Sequence, residues 1–212
     1  MSLPVNQLIV FTRLPCEGRN KTRLIPALGA AGAARFHDRL ARHTIGRAEE
    51  YCGNSGVRLV IRLDGGTPAD GRDWLGDHLF QEQGDGDLGQ RLDRAVNAAF
   101  DDGARSVVVI GTDCPELDQA DLAAAFDTLL RHPVVLGPAH DGGYYLVGFS
   151  KPCPAVFQNI DWGSSRVFAQ SLAAAGNAGL AVGILRSLAD VDVPDDLPAA
   201  EAVLGAASPP TP

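Results

Sequence analysis

Short apolar runs alternate with longer stretches in which apolar residues recur every three or four positions. Leu8-Ile9-Val10-Phe11 reads as a buried first strand and Val57 to Leu63 as a second. Val107-Val108-Val109-Ile110 is the clearest buried strand, Val134-Val135-Leu136 is another, and Tyr144 to Phe149 follows a turn. Between them, Ala33, Phe36, Leu40, Thr44 and Ala48 share one helical face, as do Leu88, Leu92, Val96 and Phe100. The second of these helices has Asp87 as its N-cap, Gln90 three residues on and Gly103 as a stop. Leu122, Phe126 and Leu129 mark a third helix capped by Asp118, and a fourth follows Ser164-Ser165. Strands alternating with helices predict an α/β fold with a mostly parallel sheet covered on both faces. Ligands of such sheets bind outside the carboxyl ends of the strands, so the loops there are where chemistry is expected.

Composition narrows the partners. The 212 residues suit one domain, expected over 1–205, with the small, Pro-rich residues 206–212 as a frayed tail. The net charge of −8 argues against a nucleic-acid partner, which calls for a basic face. Cys16, Cys52, Cys114 and Cys153 form no CxxC pair, so reduced thiols and a cytoplasmic location are expected. Met1-Ser2-Leu3-Pro4 has no signal-peptide pattern, and no apolar run approaches the roughly 18 residues of a membrane span. The five histidines are scattered and read as surface or turn residues. Nothing in the sequence speaks to oligomeric state.

Against that acidic background a basic loop stands out. Arg13 to Arg23 holds four of the 18 basic residues against one acid, with Gly18 permitting close backbone approach. At the end of a strand this is either a phosphate cradle (Arg13, Gly18, Lys21, Arg23) or a solvated surface loop. It is not a P-loop, because Asn20 stands where that motif needs Gly before Lys21.

Carboxylates recur at strand tips. Asp113 follows a buried strand between Gly111-Thr112 and Cys114-Pro115, placed to hold a cation or simply to turn the chain. Asp190, Asp192, Asp195 and Asp196 put four carboxylates in seven residues. Each close pair costs about 1 kcal/mol in water and about 4 at an effective dielectric of 20, which a cation would relieve. Helix capping is the competing role for this run. Mg²⁺, held by one or two carboxylates plus waters and substrate phosphates, suits so sparse a set. Asp141-Gly142-Gly143 reads as a hairpin turn or as a ligand-facing loop in which Asp141 meets acceptor hydroxyls. Asp87 suits an N-cap, while Arg91 beside it offers an anion or base contact. Asp161-Trp162 reads as a core Trp or as an aromatic platform.

Taken in order, these stretches resemble a known family. Gly18-Arg19-Asn20-Lys21-Thr22-Arg23-Leu24, Gly86 to Arg91, Gly111 to Pro115, Gly137-Pro138 with Asp141 to Tyr145, and Asp190 to Leu197 resemble the bacterial GT-A-fold, radical-SAM-associated glycosyltransferases of the nucleotide-diphospho-sugar transferase superfamily. The resemblance spans about residues 7 to 200. It implies a GT-A-like three-layer α/β/α sandwich, a divalent metal (Mg²⁺ or Mn²⁺) and a nucleotide donor. By resemblance Asp113 is the metal aspartate and Asp192 a second metal carboxylate, though Val193 stands where Thr is common. Lys21 and Arg23 match residues that meet donor phosphates.

The expected activity is a metal-dependent transferase, with a glycosyltransferase using a nucleoside-diphosphate sugar placed first. There Asp141 would be the base or the group that orients the acceptor, and Lys21 would meet the departing diphosphate. The alternatives are a nucleotidyltransferase joining a nucleoside triphosphate to a small phosphorylated acceptor, and a nucleotide-binding module without chemistry.

Overall fold

The computed structural model describes residues 5–206. In chain order the elements begin with strand β1 (Gln7–Arg13), helix α1 (Ile25–Ser55), β2 (Arg58–Asp64), α2 (Pro68–Leu75) and β3 (Phe80–Glu82). There follow α3 (Leu88–Asp101), β4 (Val107–Ile110), α4 (Gln119–Leu129), β5 (Val134–Pro138) and β6 (Tyr144–Phe149). α5 (Val167–Asn177), β7 (Val182–Ile184) and α6 (Leu197–Ala206) complete the chain. Every strand predicted from the apolar runs is present. β3 and β7, three residues each, and α2 were not predicted. Ala206 closes α6, so the helix reaches the first residue of the expected tail; 207–212 lie outside the described residues.

The seven strands form one sheet in the order β3-β2-β1-β4-β6-β5-β7. All are parallel except β6, which runs against both β4 and β5. β1 lies near the middle and buries its first six residues, so no polar face alternates along it. Leu8 and Val10 point to one side, against α1 and α4; Ile9 and Phe11 point to the other, against α3 and the helix α5 side. The result is the expected three-layer α/β/α sandwich. α6 lies outside α1, where Ala200 and Leu204 pack with Phe36, Leu40 and Val191.

The helix starts follow from their caps. Asp87 accepts from the Gln90 amide and Gln90 answers at the Asp87 amide, each near 3.0 Å, so the predicted capping box of α3 is present. Asp118 and Asp121 do the same for α4. One expectation fails on α3: Leu88 is 44% exposed rather than part of the buried face. In α1 the regular helix begins after Gly29, whose φ of +70° interrupts it. No described helix is long and apolar enough to cross a membrane.

Candidate functional site

The carboxyl ends of β1, β2 and β4 open into one cleft of about 770 Å³. Its first wall is the loop after β1. Arg19 and Asn20 amides both reach the Cys16 carbonyl, and the buried Asn20 side chain accepts from the Cys16 amide at 2.5 Å, so the loop is folded onto itself. This closure throws Lys21 into the left-handed region (φ 46°), uncommon for a lysine and costing about 1 kcal/mol or more.

The twist aims Lys21 at three acceptors. Its Nζ lies 2.6 Å from Asp113 Oδ1, 3.3 Å from Asp192 Oδ1 and 2.7 Å from the Val191 carbonyl. Burial alone would lower the lysine pKa, but Asp113 and Asp192 outweigh it and the pKa stands above 10.5. Arg23 Nη1 meets Asp192 Oδ2 at 3.0 Å while its side chain stays 70% exposed.

The opposite wall is acidic, and the backbone explains why. After β7 the chain continues beside β5: Leu188 donates to the Pro138 carbonyl at 3.1 Å and accepts from His140 at 3.0 Å. Val191 then donates to the Asp113 carbonyl at 3.0 Å. This extended segment is pinned between the Asp141 turn and the Asp113 tip, so Asp190 and Asp192, two apart, project to one side. One carboxylate oxygen from each of Asp141, Asp190 and Asp192 lies within 4.8 Å of the others. Burial first, then the charges of Asp141 and Asp192, hold the Asp190 pKa above its usual 3.8. Asp141 Oδ1 also accepts from the Gly143 amide at 2.7 Å, in the hairpin turn joining β5 to β6, so both roles weighed for this loop coexist.

Those three carboxylates suit a hard divalent cation. An octahedral Mg²⁺ with oxygens at about 2.0–2.1 Å needs ligand atoms about 3 Å apart when adjacent and about 4 Å when opposite, so the trio, within 4.8 Å, would draw together slightly around one. Asp113, expected as the principal ligand, adjoins the trio but is engaged by Lys21.

A third group closes the cleft near β2. Asp64 ends β2 and takes Arg13 Nε and Nη2 at 2.8 and 2.6 Å, with Arg91 Nη1 3.3 Å away. Arg91 Nε also donates to the Gly86 carbonyl at 2.9 Å. Burial would raise the Asp64 pKa, but Arg13 and Arg91 reverse it and hold the carboxyl below its usual range.

Seven of the eight residues expected at the site, Arg13, Lys21, Arg23, Arg91, Asp113, Asp141 and Asp192, line this cleft. The eighth, Gly18, sits on the exposed outside of the loop at φ +73° and is not part of the lining. Asp190, named only as part of the acidic run, also lines the cleft, as do Asp64 and Gln83, which were not singled out. The Asp190–Asp192 spacing was the available signal for the first; nothing local marks the others. His37 corrects the surface reading of the histidines. It is buried in the cleft wall with Nε2 2.8 Å from the Arg13 carbonyl, and burial lowers its pKa. Trp162 is both core and wall: it meets Tyr144 edge-on at 6.3 Å and lines the cleft, while Asp161 turns outward to Arg166.

A mostly parallel sheet with this cleft across its central carboxyl ends defines the nucleotide-diphospho-sugar transferase fold. A structure from Desulfovibrio desulfuricans G20, assigned by its name to those transferases, aligns with TM-score 0.81 and 30% identity over 96% of this chain and 98% of its own. The inositol-1-phosphate CTP transferase of T. maritima shares the fold at TM-score 0.61 and 12% identity, with 97% of each chain covered. The chain belongs to the family described as "Uncharacterized protein conserved in bacteria (DUF2064)", which residues 48–164 match. It is also 30% identical over 125 residues to a phosphoenolpyruvate guanylyltransferase of Chloroflexus aggregans, covering 56% of this chain and 59% of that relative's length. These matches support the family and the fold, not the finer radical-SAM-associated glycosyltransferase assignment drawn from the sequence.

Proposed function

We propose that the chain is a metal-dependent nucleotidyltransferase that joins a nucleoside triphosphate to a small phosphorylated acceptor and releases pyrophosphate. One observation carries this reading: Lys21, folded inward beside Asp113, also touches Asp192 of the carboxylate trio, so cation and carboxylates meet in a single cleft. A cation against carboxylates that can hold a metal is an arrangement for a polyphosphate.

In this reading each side chain has a part. Asp141, Asp190 and Asp192 would hold Mg²⁺ or Mn²⁺, which supplies Lewis-acid charge neutralisation at the phosphate oxygens. Both oxygens of Asp192 are now engaged, by Lys21 and Arg23. Asp192 would thus hold the cation from between the Lys21 ammonium and the Arg23 guanidinium, both of which would meet triphosphate oxygens. An acceptor phosphate oxygen attacks the α-phosphorus, the bond from that phosphorus to the oxygen bridging to the β-phosphate breaks, and pyrophosphate departs. Lys21 stabilises the charge gathering on the α-phosphate and the leaving group. The acceptor needs no general base, since a phosphomonoester with a second pKa near 6 is already anionic at neutral pH. That frees Asp141, expected as a base, for the metal.

Two relatives named for nucleotidyl transfer support this reading, and phosphoenolpyruvate is the acceptor that one of those names supplies. Glycosyl transfer is the second reading, favoured by the name of the 30%-identical Desulfovibrio structure. Incubation with a triphosphate, Mg²⁺ and phosphoenolpyruvate separates the two. Pyrophosphate release supports nucleotidyl transfer, whereas nucleoside diphosphate released from a nucleotide sugar, without pyrophosphate chemistry, supports the other.

A further inference from the structure

The cleft extends past the phosphate-binding centre to the end of β2, where Asp64, Arg13, Arg91, Gln83 and Leu88 meet. β2 and β4, whose ends lead to Asp64 and Asp113, lie on either side of β1, two strand spacings or about 10 Å apart, which leaves room for a ribose between their tips. We infer that this end reads the nucleobase of the triphosphate, and that it is built for guanine. The inference rests on the nucleotidyltransferase reading above and names its donor.

The hydrogen bonds decide the pattern on offer. Arg13 Nε and Nη2 both end on Asp64 Oδ2, and Arg91 Nη1 approaches that same oxygen. Among the described residues no hydrogen bond is made to Oδ1, so half of a carboxylate that lines the cleft is left as an acceptor. Gln83 spends its Nε2 on the Thr12 and Arg62 carbonyls, at 2.9 and 3.1 Å. Its amide orientation is thereby fixed, leaving Oε1 as a second acceptor. Arg13 Nη1 and Arg91 Nη2 donate to no described residue and remain as donors. Leu88, 44% exposed in an otherwise polar wall, offers an apolar surface for a base face.

Guanine fits this set better than the other bases. Its N1–H and N2–H₂ are adjacent donors on one edge, which Asp64 Oδ1 and Gln83 Oε1 would accept, while O6 and N7 are the acceptor pair that arginine favours. Adenine and cytosine put a ring-nitrogen lone pair where guanine has N1–H, and that lone pair would face Asp64. Uracil has one N–H flanked by two carbonyls, so the second acceptor would go unused. A site whose polar groups are left unpaired by the wrong ligand discriminates strongly.

Equilibrium titration with non-hydrolysable analogues in Mg²⁺ tests this. The wild-type protein is expected to bind the GTP analogue about 100-fold more tightly than those of CTP or ATP, and about tenfold more tightly than that of ITP, which lacks only the 2-amino group. In Asp64→Asn the new amide N–H₂ would oppose that amino group and suit the carbonyl of xanthine. GTP binding should fall about 100-fold and XTP binding rise at least about tenfold, a gain that a purely structural role for Asp64 would not produce. CTP or ATP bound as tightly as GTP, or a GTP-to-XTP ratio unchanged in Asp64→Asn, overturns the inference while leaving nucleotidyl transfer standing. Failure to bind any triphosphate overturns both. If Asp64→Asn does not fold, the GTP, ITP and CTP comparison on the wild type decides alone.

Discussion

Lys21 shows how much one side chain is asked to do. Its left-handed backbone aims the ammonium beneath Asp113, Asp192 and the Val191 carbonyl, where burial opposes its charge and the two carboxylates restore it. Lys21→Met should lower pyrophosphate release by about 10²–10³-fold, the range for removing one preorganised transition-state contact. The same pair leaves a mark on stability. A lysine raised above 10.5 in the folded state contributes stability below pH 10.5 and loses it as pH rises through the folded value. Melting curves of wild type and Lys21→Met should therefore converge in strongly alkaline buffer; a constant gap across that range would contradict the pairing. Asp190 has the opposite sign. Its raised pKa means that the neutral carboxyl is favoured in the fold, a benefit present below pH 3.8 and lost as pH rises through the folded value. Asp190→Asn should thus raise the metal-free melting temperature at pH 7 by about 2–4 °C for each roughly 1 kcal/mol of repulsion relieved. The same variant should lose the stabilisation that Mg²⁺ or Mn²⁺ gives the parent. Unchanged metal-induced stabilisation would remove Asp190 from the trio.

At the scale of elements, the site is held by the turn joining β5 to β6 and by the cap of α3. Gly142 sits at φ +89°, and a Cβ there would overlap the Ser165 carbonyl just ahead of α5. Gly142→Ala should cost about 2–4 kcal/mol through backbone strain and overlap, readable as a lower denaturant midpoint, and should displace Asp141. Asp87 makes the capping contact at α3, so Asp87→Ala should cost about 1 kcal/mol of stability in the same titration. Its side chain was legible in the sequence because a capping box is a local pattern. The long apolar runs of β1 and β4 were legible for the same reason. β3 and β7 were not, since three residues carry too little periodicity to register. α2 went unseen although Thr67 and Asp70 form a reciprocal capping box at its start. The eight residues behind that box hold no clear apolar stripe.

For the whole molecule, sequence reasoning reached the cleft but not all of its pairings. Seven expected residues converge because six end a strand or lie in the segment beyond one, while Arg91 sits in the first turn of α3, and a mostly parallel sheet gathers such ends on one side. Who pairs with whom depends on the segment after β7 running beside β5, a tertiary fact with no local signature. That path brings Asp190 beside Asp141 and leaves Asp113 to Lys21. A ligand bridging these walls should stabilise the fold as a unit, by about 2.7 kcal/mol at 100 times its Kd. The most direct test is a crystal grown with Mn²⁺ and a non-hydrolysable GTP analogue, read by anomalous diffraction. The expected result is a manganese peak among the Asp141, Asp190 and Asp192 carboxylates, with the triphosphate bridging it to Lys21. Manganese elsewhere, or a nucleotide bound away from Lys21, would contradict the assignment of this cleft.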